Sequence, residues 1–407
     1  MIQLRSPRRK QQGTLLAGGC GQAGAIVIGG DYQGLGIVRS LGRRGIPVCV
    51  IDDEASIARV SRFSKRAIRV PSLRDEPSTL DTLNAVRRAH GLQGWVLFPT
   101  REETVAALAR NRSFLAQSFR VPTPGWDTIR HAWDKRETYR LARELGIPTP
   151  GTWSLREEGE LRNVEVRGPV VIKPAIKEHF FYVTRAKAWR ADTESDLRRI
   201  FRQASSIVGV EEVIIQELIP GDGHQQYSYC AFFKHGEAVA SMTARRRRQH
   251  PSDFGRASTY VETVELASLE EPSVRFLRAI GYYGLVEVEY KLDPRDGEYK
   301  LLDVNARTWG YHSVGPAAGV DFPYLLFCDQ LGYEIPRAHG RPGVRWIRLA
   351  TDVPNAVVDM RARRLRPRDY LTSLRGVDTE AVFSMCDPLP GMYELVLLPY
   401  LFFKRGL

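Results

Sequence analysis

Apolar positions along the chain follow two rhythms, and the change between them divides it. Between residues 25 and 111, short apolar runs alternate with stretches of helical period. Residues 25–28, 47–51, 67–70 and 95–98 predict strands; 35–43, 80–90 and about 102–111 predict helices. Strands that alternate with helices predict a doubly wound α/β domain around a parallel sheet. A Gly29-Gly30 turn joins the first strand to the first helix, and the second strand ends at Asp52-Asp53. Gly19, Gly21 and Gly24 match a dinucleotide-binding spacing by letter, but they precede the strand rather than follow it. Residues 1–24 therefore read as a flexible tail.

Past residue 130 the apolar runs lengthen and alternate with polar positions. Asp134 caps a predicted helix that closes at Gly146, with Lys135 in its first turn, where a positive charge opposes the helix dipole. The strand 168–174 ends on Lys173, a charge that needs a partner if the strand is buried. The strand 212–219 leads into Pro220-Gly221-Asp222-Gly223. In residues 285–310, Val286, Val288 and Tyr290 alternate with Glu287, Glu289 and Lys291, and a turn at 293–297 predicts a hairpin. Its second strand delivers Asp303, Asn305 and Arg307 at a spacing of two, hence on one face. Glu289 then falls near Asp303 and Asn305, an oxygen set suited to Mg²⁺ held on phosphates. The equally simple reading is a solvated hairpin face.

Arg245, Arg246, Arg247 and Arg248 continue an apolar strand. Alternation puts Arg246 and Arg248 on one face and Arg245 and Arg247 on the other.

Composition narrows the class. The chain has 407 residues, 43% of them hydrophobic and 26% charged, ordinary values for a globular protein of two or three domains. A net charge of +12 suits a polyanion, an anionic surface or nucleic acid, but no nucleic-acid motif accompanies it. Five scattered cysteines without a CxxC pair predict free thiols in a reducing compartment, so a cytoplasmic protein.

In this order, the segments DKRETYRLARELGIPTP, GPVVIKP, IIQELIPG, VEVEY and LLDVNAR resemble the ATP-grasp family, in its carboxylate–amine ligase branch. The resemblance covers roughly residues 25–333. It implies a pre-ATP-grasp Rossmann-like domain over 25–130, an ATP-grasp α+β domain over 131–335 and a C-terminal extension over 336–407. It further implies ATP held by Lys135, Lys173 and a hinge of Gln216, Glu217, Leu218 and Ile219, with Asp222 on the ribose. Mg²⁺ would sit on Glu289, Asp303 and Asn305, with Arg307, Arg246 and Arg248 on the transferred group. The partners implied are a small-molecule carboxylate and an amine. Three departures stand out: Asp303 where a glutamate is usual, Gln216 as hinge acceptor, and no Gly-rich loop after Lys173. Phosphate closure would then fall to Lys177 or Lys187.

Two other readings stay in view. An NAD-dependent oxidoreductase would use Gly29, Gly30 and Asp53, and a non-catalytic nucleotide-binding protein would use the basic surface. The apolar, basic-tipped C-terminus predicts a helix docked on the body and leaves a peripheral membrane contact open, as the family leaves a homodimer open.

Overall fold

The computed structural model describes residues 23–165, 168–221, 225–251, 255 and 257–405, with side chains through residue 400. The first sheet holds β1 (Ala25–Ile28), β2 (Val48–Asp52), β3 (Arg66–Arg69) and β4 (Val96–Pro99), all parallel, in the order β3-β2-β1-β4. Every residue of β1, β2 and β4 is buried, as continuous apolar strands between two helical layers should be. One helix starts earlier than the apolar period predicts. It spans Glu76–His90 because Asp75 caps it, its carboxylate accepting from the Ser78 amide at 2.9 Å. Pro77 fits that first turn, where its missing N–H is not needed.

A small antiparallel sheet follows, formed by β5 (Thr152–Ser154), β6 (Val170–Pro174), β7 (Trp189–Ala191) and β8 (Val213–Glu217) in the order β5-β8-β6-β7. Val170, Ile172, Val213 and Ile215 pack there against Leu197, Phe201 and Ala204 of the Glu194–Val208 helix. The alternation that buries Ile172 brings Lys173 out at the edge of that core.

The large sheet runs β13-β12-β9-β10-β11-β15-β16. Its strands are β9 (Gln226–Lys234), β10 (Glu237–His250), β11 (Ala257–Val264), β12 (Gly284–Leu292), β13 (Tyr299–Asn305), β14 (Ala338–His339, paired with β10), β15 (Arg345–Ile347) and β16 (Thr379–Glu380). Both faces are covered. Cys230 and Phe232 of β9 join one core, while Tyr229, Ala231 and Phe233 join another, the period of two expected of a strand.

The first of these cores also contains Val27 and Val50 of the first sheet and Trp346, Val382 and Leu397 from the C-terminal extension. One apolar interior thus runs through three segments that the sequence presents separately. The extension is further tied down by Arg39, whose Nε lies 2.9 Å from Asp387 Oδ2, both groups being buried. Its last helix, Leu389–Arg405, docks through Leu397 but leaves Met392, Leu395 and Val396 exposed. Among the described residues no helix is long and apolar enough to cross a membrane.

Candidate active site

The hairpin β12–β13 sets the centre. In its register Glu287 faces Asn305 and Glu289 faces Asp303. Asn305 Nδ2 donates to Glu289 Oε1 at 2.8 Å and to Glu287 Oε2 at 3.0 Å. Asp303 Oδ1 meets Lys135 Nζ at 2.5 Å. Burial opposes the Asp303 charge, but Lys135 overcomes it and lowers the carboxyl to about 2. Glu289 is likewise buried yet held below its ordinary value by Arg246 and Lys187. Glu287 goes the other way. Burial and the neighbouring Glu289 charge push it up to about 7, although Tyr311 Oη donates to its Oε1 at 2.6 Å. Glu287 shares strand parity with Glu289, which is the signal that sequence reasoning passed over.

Lys173, next to last in β6, donates through its Nζ to Gln216 Oε1 at 2.7 Å and to Tyr139 Oη at 2.8 Å. Both partners are neutral. Burial and the Lys135 charge lower Lys173 to about 7. Gln216 Nε2 in turn donates to Thr152 Oγ1, so its carbonyl is aimed at the lysine. In the hinge, the amides of Glu217 and Leu218 are donated to the carbonyls of Gly151 and Pro169. Glu217 pairs with Arg295, and the Ile219 carbonyl accepts from Lys291. Asp222 lies outside the described residues.

Lys135, Lys173, Lys177, Lys187, Arg246 and the 216–219 hinge surround a cavity of about 240 Å³. The segment after Lys173 forms a helix, Lys177–Thr184, rather than a loop. Lys187 donates to the Gly255 carbonyl at 3.2 Å, and burial lowers it to about 8. A second cavity, of about 270 Å³, adjoins the first along the hairpin, where Glu287 and Asn305 also line it. Tyr32, Glu102, Glu103, Glu178, Arg307 and Tyr311 stand in its wall. Lys177, Lys187, Arg246, Glu289 and Asp303 line both cavities.

One arginine is not where strand parity puts it. Arg246 reaches Glu289 Oε2 at 3.2 Å, but Arg248 turns away and clasps Asp352 with two bonds of 2.9 and 2.8 Å. The cause is a β-bulge: β10 pairs Arg246 with Val261 and Arg248 with Tyr260, so Arg247 is an inserted residue. One extra residue inverts the alternation beyond it. Arg248 lines neither cavity. Arg247 faces Glu262, and Arg245 stacks over Tyr227. Arg307 lies beyond the end of β13 and lines the second of these two cavities, not the first. Its Nε meets Glu102 Oε1 at 2.6 Å, while its Nη2 stays 3.4 Å from Asn305 Oδ1.

The Gly29-Gly30 turn does not form a dinucleotide site. The Gly30 amide donates to Asp52 at 2.6 Å, and Arg101 bridges Asp52 and Asp53 at 2.7 and 2.6 Å. Both the amide and the acid that a pyrophosphate and a ribose would need are held by the chain itself.

Residues 134–327 match the family described as "Carbamoyl-phosphate synthase L chain, ATP binding domain". The chain is 25% identical to D-aspartate ligase of Enterococcus faecium over 301 residues, 69% of this chain and 70% of that one. In fold it resembles L-amino acid ligase from Bacillus licheniformis, with a TM-score of 0.59 at 16% identity, covering 77% of this chain and 75% of that one. It also resembles the biotin carboxylase domain of 2-oxoglutarate carboxylase from Hydrogenobacter thermophilus, solved with MgADP. There the TM-score is 0.61 at 14% identity, covering 79% and 73%. Residues 134–327 are therefore an ATP-grasp domain. Beyond that domain, the chain is similar to two amino-acid ligases, one in sequence and one in fold.

Proposed function

We propose that the protein joins a small-molecule carboxylate to an amine at the expense of ATP, through an acyl phosphate. The observation that carries this reading is the meeting of two cavities at five charged side chains, Lys177, Lys187, Arg246, Glu289 and Asp303. A nucleotide in the first cavity would reach the shared residues with its phosphates. An acid and an amine would reach them from the second.

The chain's part is positioning and charge neutralisation. Lys135, Lys173 and Lys187 surround the phosphate end of the first cavity, and Gln216 orients Lys173. The substrate carboxylate oxygen attacks the γ-phosphorus, the bond to the β-phosphate oxygen breaks, and ADP leaves. The amine nitrogen then attacks the acyl carbon, loses a proton, and expels phosphate that carries one former carboxylate oxygen. Arg246 and Lys187 face the developing phosphate charge. Both cavities are partly enclosed by the Lys177–Thr184 helix, which would limit the loss of an acyl phosphate to water.

Among the described residues no group of three or more His, Cys, Asp or Glu has metal-binding spacing. The donor set nevertheless fits Mg²⁺, which takes one or two carboxylates and completes its shell with phosphate oxygens and water. Glu289 and Asp303, opposite each other in the hairpin, would hold it, with Asn305 beside them. When bound, the ion would neutralise charge on the β- and γ-phosphates.

A screen of carboxylic acids for acid-dependent ADP release, with hydroxylamine as a general nucleophile, tests the reading. Hydroxamate should form with at least one acid. ADP release that no acid accelerates would favour a nucleotide-binding protein without ligase activity.

A further inference from the structure

The second cavity borrows part of its wall from the far end of the chain. Tyr32 lines it, and the Arg348 guanidinium lies over the Tyr32 ring, 4.2 Å from its centroid. Gly310 closes in on the Tyr32 hydroxyl, which a Cβ there would approach within 2.6 Å. Tyr311, the wall residue that bonds to Glu287, packs edge-on against Trp346 with centroids 6.2 Å apart, and Tyr32 lies at the same distance from that indole. Trp346 is fully buried and donates its Nε1 proton to Ser313.

Arg348 is fixed in turn by Glu394, at 2.8 Å, on the last helix. The Glu394 side chain is entirely buried, and its carboxylate meets a guanidinium that is 5% exposed. Arg348 also lies 3.8 Å from Asp31, the residue that caps the helix bearing Tyr32. A buried ion pair adds little net stability, because desolvation offsets most of the attraction. What it supplies here is a guanidinium plane held in one orientation, against which an aromatic ring can be set.

We infer that Arg348 is a positioning residue for the acceptor cavity. Held by Glu394, it fixes Tyr32, and its neighbour Trp346 fixes Tyr311. The C-terminal extension, outside the 134–327 family match, thereby shapes the cavity for acid and amine and leaves the nucleotide cavity alone. The inference rests on the ligase reading of the second cavity. Neither tyrosine lines the first.

The test uses the full chain and an equimolar pool of D-aspartate and the twenty common L-amino acids, with ATP and hydroxylamine. Arg348→Lys keeps the charge and loses the plane; Trp346→Phe is a milder second variant should the first fold poorly. The pool concentration giving half-maximal hydroxamate should rise about fivefold in Arg348→Lys, the size of one stacked cation–aromatic contact. The half-saturating ATP concentration should stay within about twofold of the parent value, since no nucleotide contact changes. An equal rise for ATP, or no rise for the pool, would overturn the inference. If the unaltered protein makes no hydroxamate from the pool, that result counts against the ligase reading alone. The positioning role is then read from amide hydrogen exchange without substrate. Arg348→Lys should speed exchange at 31–36 and 309–314 but not at the hinge, 213–218. Unchanged exchange in the first two segments, or equal acceleration in all three, overturns it.

Discussion

Lys135 Nζ and Asp303 Oδ1 stand 2.5 Å apart, so the first-turn lysine of one helix neutralises the acid at the centre of the hairpin. The pair joins the two candidate roles, phosphate binding and metal binding, in one contact. A nucleotide with its cation would replace it by two new ones. Asp303→Asn should therefore lower ADP release by ~100-fold or more, as loss of a charged group at a phosphoryl-transfer centre does. Its melting temperature should stay near that of the parent, since the Asp303 side chain is 29% exposed and anchors no core. Steady-state turnover at saturating Mg²⁺, beside a thermal melt, checks both halves; unchanged turnover contradicts the metal assignment.

The two arginines that flank the bulge should fail in different ways. Arg246→Ala removes a charged contact to Glu289 worth on the order of 1.5–3 kcal/mol. Turnover should fall about ten- to hundredfold, with little dependence on salt. Arg248→Ala instead strands Asp352, a fully buried carboxylate. It should cost about 3–5 kcal/mol of stability and leave turnover nearly unchanged while the protein stays folded. Urea unfolding and turnover of the two variants separate them, and a catalytic loss in Arg248→Ala without a stability loss would contradict the placement.

How much of this could be read from the sequence divides along a physical line. Local period delivered the hairpin, because Val286, Val288 and Tyr290 alternate with acids and a turn follows at 293–297, but not the bulge at Leu302 that sets Glu289 opposite Asp303. It singled out Lys135 and Lys173 because one opens a helix and the other stands next to the end of a strand. It failed at Arg248, because a bulge is a property of two paired strands and leaves no mark in one of them. It could not see the Tyr311–Glu287 bond, the Arg101 bridge over Asp52 and Asp53, or Tyr32 under Arg348, which join residues far apart in the chain. The single core shared by the first sheet and the extension was hidden for the same reason.

Nucleotide binding should take up a proton. Lys173 is lowered to about 7 by burial and by Lys135, so at pH 8 it is mostly neutral without a ligand. A phosphate beside it favours the charged form, and about one proton per site should enter at pH 8, falling toward none below pH 6. Calorimetry of ATP binding in buffers of different ionisation enthalpy measures this. Lys173→Met should remove most of the uptake and leave only the smaller share of Lys187, itself lowered to about 8; uptake undiminished in that variant would place it on another group. Without nucleotide the same depressed value has a stability consequence. The unfolded chain binds a proton that the folded one lacks, so stability should rise with pH between about 7 and 10.5. In Lys173→Met that part of the slope should disappear.

The acyl-phosphate route is tested most directly by following one oxygen atom. An acid that supports hydroxamate formation is labelled with ¹⁸O in its carboxylate and turned over with ATP and hydroxylamine, and the inorganic phosphate is analysed by mass spectrometry. Attack of the carboxylate on the γ-phosphorus predicts one ¹⁸O in each phosphate released, with ADP formed in equal amount and label transfer lost in Asp303→Asn. Phosphate without label, or AMP with pyrophosphate in place of ADP, would contradict it.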